Sequence, residues 1–305
     1  MSIEELKKMQ ESLISKQKKY AQLFILLGSI TMIWFVLLLV IIETAQNYIL
    51  FTLLYLFLLI SIILLIVVII RKRPMKEETK QFRKEFKRLF VTRTLQKYFT
   101  NLVYLPEQGF DKEYLQFIGM LNTGDEYESN DYVSGDYHNI HLNQSDIKIR
   151  KWVRSGDDNV LKTIFKGRWM IFDFNKEFKS TLQACHNFEA AVWPKNEENQ
   201  LTNLEDDEFN KMFTIMAENE HDAFYILTPH FMEKMKKLAQ KYDSGIMFCF
   251  TDNRLHIAIN NRDDAFEFKE DIPIDENQID RLLSEDIKII LEMIDELGLD
   301  HTIFK

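Results

Sequence analysis

Two stretches of the chain carry no charge at all. Ala21–Ile42 and Tyr48–Ile70 are almost wholly apolar, and only Glu43–Asn47 separates them. A bilayer core of about 30 Å takes roughly 20 apolar residues as helix, so each stretch is long enough to span it. The pattern predicts two transmembrane helices, 21–42 and 48–70, joined by a short outer turn, with a juxtamembrane helix over 1–20. Beyond them, Phe82, Phe86, Leu89 and Phe90 recur at helical spacing after Pro74, which suits a first helical turn. This predicts an amphipathic stalk helix over 71–100. Its apolar stripe would suit either an interfacial helix or a helix packed on a soluble domain.

Past the stalk the period changes. Residues 111–135 are rich in turn formers and are expected to be loops around one short helix in Asp111–Met120. From Tyr137 to His186 apolar and polar residues alternate, which predicts an antiparallel meander of four or five strands over 101–187. Residues 188–204, with Pro194 in a polar run, read as a linker. The remainder, 205–305, mixes helix and strand. Thr228-Pro229 caps and opens a helix. Asp252-Asn253 turns a hairpin. A long apolar-striped helix runs from about Glu276 to Leu297 and stops at Gly298. The fold class expected is α+β behind a helical membrane hairpin.

Within the meander, Leu161, Thr163 and Phe165 share one parity, and Met170, Phe172 and Phe174 the other. A bulge or tight turn at Lys166-Gly167 would make that slip without exposing the aromatics, so Gly167 is expected to be structural, with Pro229 and Gly298. Lys166, Arg168 and Asp173 are then rim and turn groups.

Charge sharpens the division. Residues 1–110 hold 16 Lys and Arg against 8 Asp and Glu, a balance of +8, and residues 111–305 hold 22 against 39, a balance of −17. The acidic part is a poor partner for nucleic acid, which needs clustered cations. Basic residues flank both spans and are missing from the turn between them, which places both termini in the cytoplasm of a multi-pass membrane protein. Arg71, Lys72, Arg73, Lys76, Lys80, Arg83, Lys84, Lys87 and Arg88 form a candidate patch for anionic lipid headgroups. The two cysteines, Cys185 and Cys249, imply neither a disulfide framework nor a thiolate metal site.

Candidate chemistry is sparse. The sequence contains no Walker phosphate loop, no dinucleotide fingerprint, no G-x-S-x-G and no H-E-x-x-H. His138 and His141 would lie on opposite faces of a strand, as would Cys185 and His186. His221-Asp222 falls in a turn. The acidic run Glu205–Glu208 precedes a helix, where carboxylates favour the helix dipole. No catalytic, cofactor-binding or metal residues are assigned.

The stretches Thr163–Leu182, Glu205–Asn219, Ala223–Met235, Phe248–Ile259 and Leu297–Lys305, in order, resemble an uncharacterised family of bacterial membrane proteins known only as a domain of unknown function. That resemblance implies a two-helix anchor and a cytoplasmic α+β domain, and carries no activity. The function expected is a membrane-anchored cytoplasmic binding or scaffold module with a protein partner, no cofactor, and self-association open. Two alternatives stand beside it: an enzyme using an acidic and histidine site for metal-assisted hydrolysis, and a subunit or effector of a membrane complex.

Overall fold

The computed structural model describes residues 1–44, 48–71, 74–156, 158–173, 180–187, 200–268 and 272–299. The chain forms two compact units. The first is Met1–Leu89 with Phe268–Asp275, and the second is Phe90–Glu267 with Glu276–Lys305. The expected turn at Ala45–Asn47, Lys72 and Arg73, Phe174 and most of the linker lie outside the described residues.

In the first unit, α1 (Ile3–Thr44) and α2 (Tyr48–Arg71) run antiparallel, with Trp34 stacked on Phe57 at 5.2 Å. These are the two helices, among the described residues, that are long and apolar enough to cross a membrane. Phe24, Ile25, Met32, Ile33 and Phe35 on α1 are 48–71 % exposed. The helix starts early because Ser2 and Glu5 form a reciprocal capping box at 3.2 and 2.8 Å. Leu6, Gln10 and Leu13, four and three residues apart, are buried on one face of its polar first half. Gln10 donates to the Ile272 carbonyl at 2.5 Å and accepts from the Ile274 amide at 3.3 Å, which ties the 272–275 segment to α1.

Helix α3 (Pro74–Phe86) buries Met75, Phe82 and Phe86 and pairs Glu78 with Lys16 of α1 at 2.7 Å. Phe86 stacks on Phe268 at 4.5 Å. Phe82 and Phe86 of the stalk's apolar stripe are therefore packed inside the first unit, and its basic face remains outward at Lys76, Lys80, Arg83, Lys84 and Arg88. Lys87 is a correction to the expected patch, because it is only 6 % exposed. A π-helical turn over Lys87–Val91 changes the helical phase there and rotates Lys87 off the basic face. A four-residue helix, α4 (Thr92–Leu95), opens the second unit.

The strands of the second unit are β1 (Thr100–Leu105), β2 (Glu126–Tyr137), β3 (Ile140–Ser155), β4 (Asp158–Asp173), β5 (Leu182–His186), β6 (Gln200–Leu201), β7 (Thr214–Ala217), β8 (Ile246–Thr251) and β9 (Arg254–Ile259). The helices are α5 (Lys112–Ile118), α6 (Asp207–Met212), α7 (Glu220–Ile226), α8 (Pro229–Lys241) and α9 (Glu276–Leu297). All nine described strands join one antiparallel sheet, ordered β1-β2-β3-β4-β9-β8-β5-β7-β6. The meander holds for β1 to β4. Strand β5 pairs with β8 and β7, so the later hairpin sits between β4 and β5.

Strand β2 occupies ground expected to be loop. Its residues Glu126, Glu128 and Asn130 stand opposite Arg150, Lys148 and Asp146 of β3, and Glu126 and Glu128 form cross-strand ion pairs there, while Val133 is fully buried. His138 and Asn139 lie in the left-handed region, at φ 50° and 63°, and form the two-residue turn of the β2–β3 hairpin, so His138 is a turn residue rather than a strand residue. Asp252 and Asn253 do the same for β8–β9, at 50° and 58°.

The sheet is covered on both faces. On one, Trp169, Ile171, Ile147 and Ala258 pack with Leu115 and Ile118 of α5. On the other, Phe231 of α8 meets Phe250 edge-on at 5.9 Å and Phe213 meets Phe248 at 6.1 Å. Thr228 caps α8 through the Phe231 amide and Pro229 takes its first position. Gly298, at φ 65°, ends α9, and the Leu299 amide returns to the Ile294 carbonyl at 3.0 Å.

A candidate binding cleft and the buried carboxylates behind it

Strand β4 is longer than its neighbour on one side. It pairs with β3 from Asp158 to Phe172, but with β9 only from Arg168 to Asp173. Among the described residues its first half therefore runs beyond β9, beside a cleft of about 580 Å³. The cleft is lined by Lys162, Thr163, Lys166, Asn187, Asn260 and Arg262, with Ile164 and Ser244 completing it. In a domain with a balance of −17, three cations around one recess are a local inversion of charge.

The far wall is the segment that follows β9. Asn260 Oδ1 accepts from the Lys166 amide at 3.1 Å, and the Arg262 amide donates to the Lys166 carbonyl at 2.8 Å. Lys166 Nζ pairs with Asp264 at 2.9 Å, and this hydrogen bond raises its pKa. Arg262 itself stands at φ 60°. The wall passes so close to β4 that a Cβ on Gly167 would overlap the Ile259 carbonyl oxygen and lie 2.9 Å from Asn261 Oδ1. Gly167 is thus required for a close crossing. The bulge expected at Lys166-Gly167 lies instead at Ile164, the residue left over between the Ile149–Phe165 and Arg150–Thr163 pairs. Both faces of β4 are buried in the second half of the strand, so no change of buried phase is needed at the glycine.

Behind this wall lies a group of buried polar side chains. Asp146 of β3 and Arg168 of β4 are cross-strand partners, 1 % and 2 % exposed. Arg168 donates to Asp286 Oδ1 of α9 at 2.5 Å and to the Asp286 carbonyl, and its guanidinium lies 5.8 Å from the centre of the Phe266 ring. This corrects the reading of Arg168 as a rim group: α9, far away in sequence, covers it. Asp146 Oδ2 accepts from the Ala265 amide, and Asp286 Oδ2 accepts from the Phe266 amide at 3.0 Å. Two carboxylates on different elements therefore fix consecutive amides of the strap that carries Asn260 and Arg262 to the cleft. Burial is the main cause that pushes the Asp146 carboxyl up to about 8, against the opposing pull of Arg168. Nearby, Asp131 accepts from the Tyr104 hydroxyl at 2.6 Å.

The other sequence candidates are distributed through the fold. His141 pairs with Asp136 at 2.6 Å and His138 stacks on Tyr137. His186 Nδ1 lies 2.8 Å from the Met212 carbonyl. Asp222 accepts from Ser180 at 2.6 Å, and Asp206 caps α6 while holding Lys236 with Glu208. Asp173 is exposed beside Arg254 at 3.7 Å. Cys249 lies opposite His256 in the β8–β9 register, and both are fully buried. Burial pushes the thiols of Cys185 and Cys249 up and pulls His256 down to about 3, so neither a thiolate nor an imidazolium is available. His256 instead receives the Trp169 indole N–H at 3.2 Å. Among the described residues, no group of three His, Cys, Asp or Glu side chains is placed to hold a metal ion.

Residues 163–299 match the family described as a protein of unknown function, DUF3137. That span includes the second half of β4, the strap and α9, and therefore most of the cleft. No curated protein and no solved structure matches the chain.

Proposed function

We propose that this chain is a membrane-anchored cytoplasmic binding module, and that the cleft beside β4 receives an extended acidic segment of a protein partner. The observation that carries this reading is the recess lined by Lys162, Lys166 and Arg262, where among the described residues β4 runs past the end of β9. An exposed strand edge offers backbone donors and acceptors to an added strand. Lysines along such an edge discourage pairing with neutral or basic strands and admit an acidic one. Trp152 and Val160, 54 % and 48 % exposed on the adjoining β3–β4 hairpin, add apolar surface for alternate side chains. The two long apolar helices support the anchor, and the basic flanks orient it with both ends in the cytoplasm.

The test uses the full chain in lipid nanodiscs and a fluorescent peptide of alternating Glu and Val. Its anisotropy should rise on binding, fall with added salt, and be lost when alternate peptide amides are methylated. Lys162→Glu with Arg262→Glu should weaken binding by about tenfold or more. Equal binding of the methylated peptide, or of a Lys-Val peptide, would remove the proposal.

A further inference from the structure

A second recess lies wholly within the first unit. A cavity of about 600 Å³ is lined by Gln17 of α1, Ile69 of α2, and Met75, Lys76, Thr79, Lys80 and Arg83 of α3. An apolar groove of about 390 Å³ adjoins it through the shared Ile69, and runs between Tyr20, Ala21, Phe24 and Ile25 of α1 and Val68 of α2. Charged residues line the first recess only, from α3, and their loss in the adjoining groove coincides with the change along both helices. Gln17 stands one turn before the uncharged run that opens at Ala21, with Tyr20 at the boundary, and α2 ends its own run at Ile70. Aromatic residues at such a boundary mark the level of the headgroups.

We infer that the two recesses together bind one anionic glycerophospholipid, with the headgroup phosphate held by Lys76, Lys80 and Arg83 and an acyl chain laid in the α1–α2 groove. A free phosphate would use the first recess alone. A detergent or neutral lipid would use the groove alone. Only a molecule with a negatively charged head directly above a hydrocarbon chain fills both. The packing of α3 makes the recess a formed site: burial of Met75, Phe82 and Phe86 fixes the helix, which sets the three cations at spacings of four and three residues on one side. This site rests on the reading of α1 and α2 as membrane spans and is separate from the β4 cleft.

The experiment is native mass spectrometry of the full chain, stripped of lipid in detergent and titrated with phosphatidylglycerol or phosphatidylcholine. One phosphatidylglycerol should bind in preference. Lys76→Gln, Lys80→Gln and Arg83→Gln together should weaken it by about tenfold to a hundredfold, since each cation near a lipid surface contributes about 1 kcal/mol. Ala21→Trp, which fills the groove, should weaken both lipids. Lys84→Gln with Arg88→Gln, exposed cations outside the cavity lining, should leave binding unchanged, and circular dichroism should show all variants folded. Equal loss in the Lys84/Arg88 variant would mean diffuse surface attraction and would overturn the site. Full competition by inorganic phosphate would reassign it to a free anion, also against the proposal. Carbonate extraction of native membranes tests the spans independently, so failure of the anchor and failure of the lipid site are told apart.

Discussion

The two basic recesses each gather three cations, and differ in what lies beside them. In the first unit Lys76, Lys80 and Arg83 stand at the mouth of an apolar groove between two helices. In the second, Lys162, Lys166 and Arg262 stand beside β4 and the side chains of Asn187 and Asn260. The comparison teaches that charge alone sets only the sign of a ligand. The two proposals differ because the neighbouring surfaces differ: an apolar helix groove suits an amphiphile, while a strand that outruns its neighbour suits another extended chain. The supports also differ. The first recess rests on buried phenylalanines at helical spacing, whereas the second rests on two carboxylates, buried Asp146 and half-buried Asp286, that hold backbone amides of a strap.

The largest test of this difference is Gly167→Val. A side chain there collides with backbone at Ile259, which cannot move without breaking the β4–β9 ladder. The second unit should lose about 4 kcal/mol or more, read by chemical denaturation, while lipid retention by the first unit persists. Next is Asp286→Ala, which strands the Arg168 guanidinium at 2 % exposure. The loss should be about 3–5 kcal/mol, with faster amide exchange over 262–266, and Arg168→Met added to it should restore part of the stability.

Smaller, and dependent on pH, is Asp146→Asn. Burial raises this carboxyl from 3.8 to about 8, so the folded chain holds its proton more tightly than the unfolded chain. The stability this contributes is full below about pH 4 and is lost as pH rises through about 8. The asparagine variant should remove that slope from the second unit and leave lipid binding in the first unchanged. Urea midpoints measured from pH 4 to 8 check the sign. The smallest effect is expected for Lys84→Gln with Arg88→Gln, below about 0.5 kcal/mol in thermal unfolding, because both side chains are exposed.

Local patterns carried much of the fold. The uncharged runs, the alternation through β3 and β4, the Asp252-Asn253 turn, the Thr228-Pro229 start and the Gly298 stop are each decided within a few residues, by hydrophobic period or by backbone geometry. Strand β2 escaped because its composition is that of a turn, and what holds it is cross-strand ion pairing with Lys148 and Arg150 of β3. The candidate site was legible only in pieces. Gly167 stood out as a lone glycine in a strand, but its reason is the Ile259 carbonyl, 92 residues away in the chain. Arg168 and Asp146 occupy polar positions in an alternating strand, which ordinarily face water. Helix α9 meets Arg168 and the strap meets Asp146.

By itself, the sequence determined the two long apolar helices, most of the later strands and helices with their starts and stops, and the division into a basic part and an acidic part. Those are local free energies of period, capping and solvent preference. It missed β2 and the helix α7 that holds His221 and Asp222. Tertiary structure alone decided that the β8–β9 hairpin inserts between β4 and β5, that β4 overruns β9 to open a cleft, and that Asp146 and Asp286 hold the strap beside it. Each depends on which distant surfaces meet, and an interaction between groups a hundred residues apart leaves no period in the chain to read.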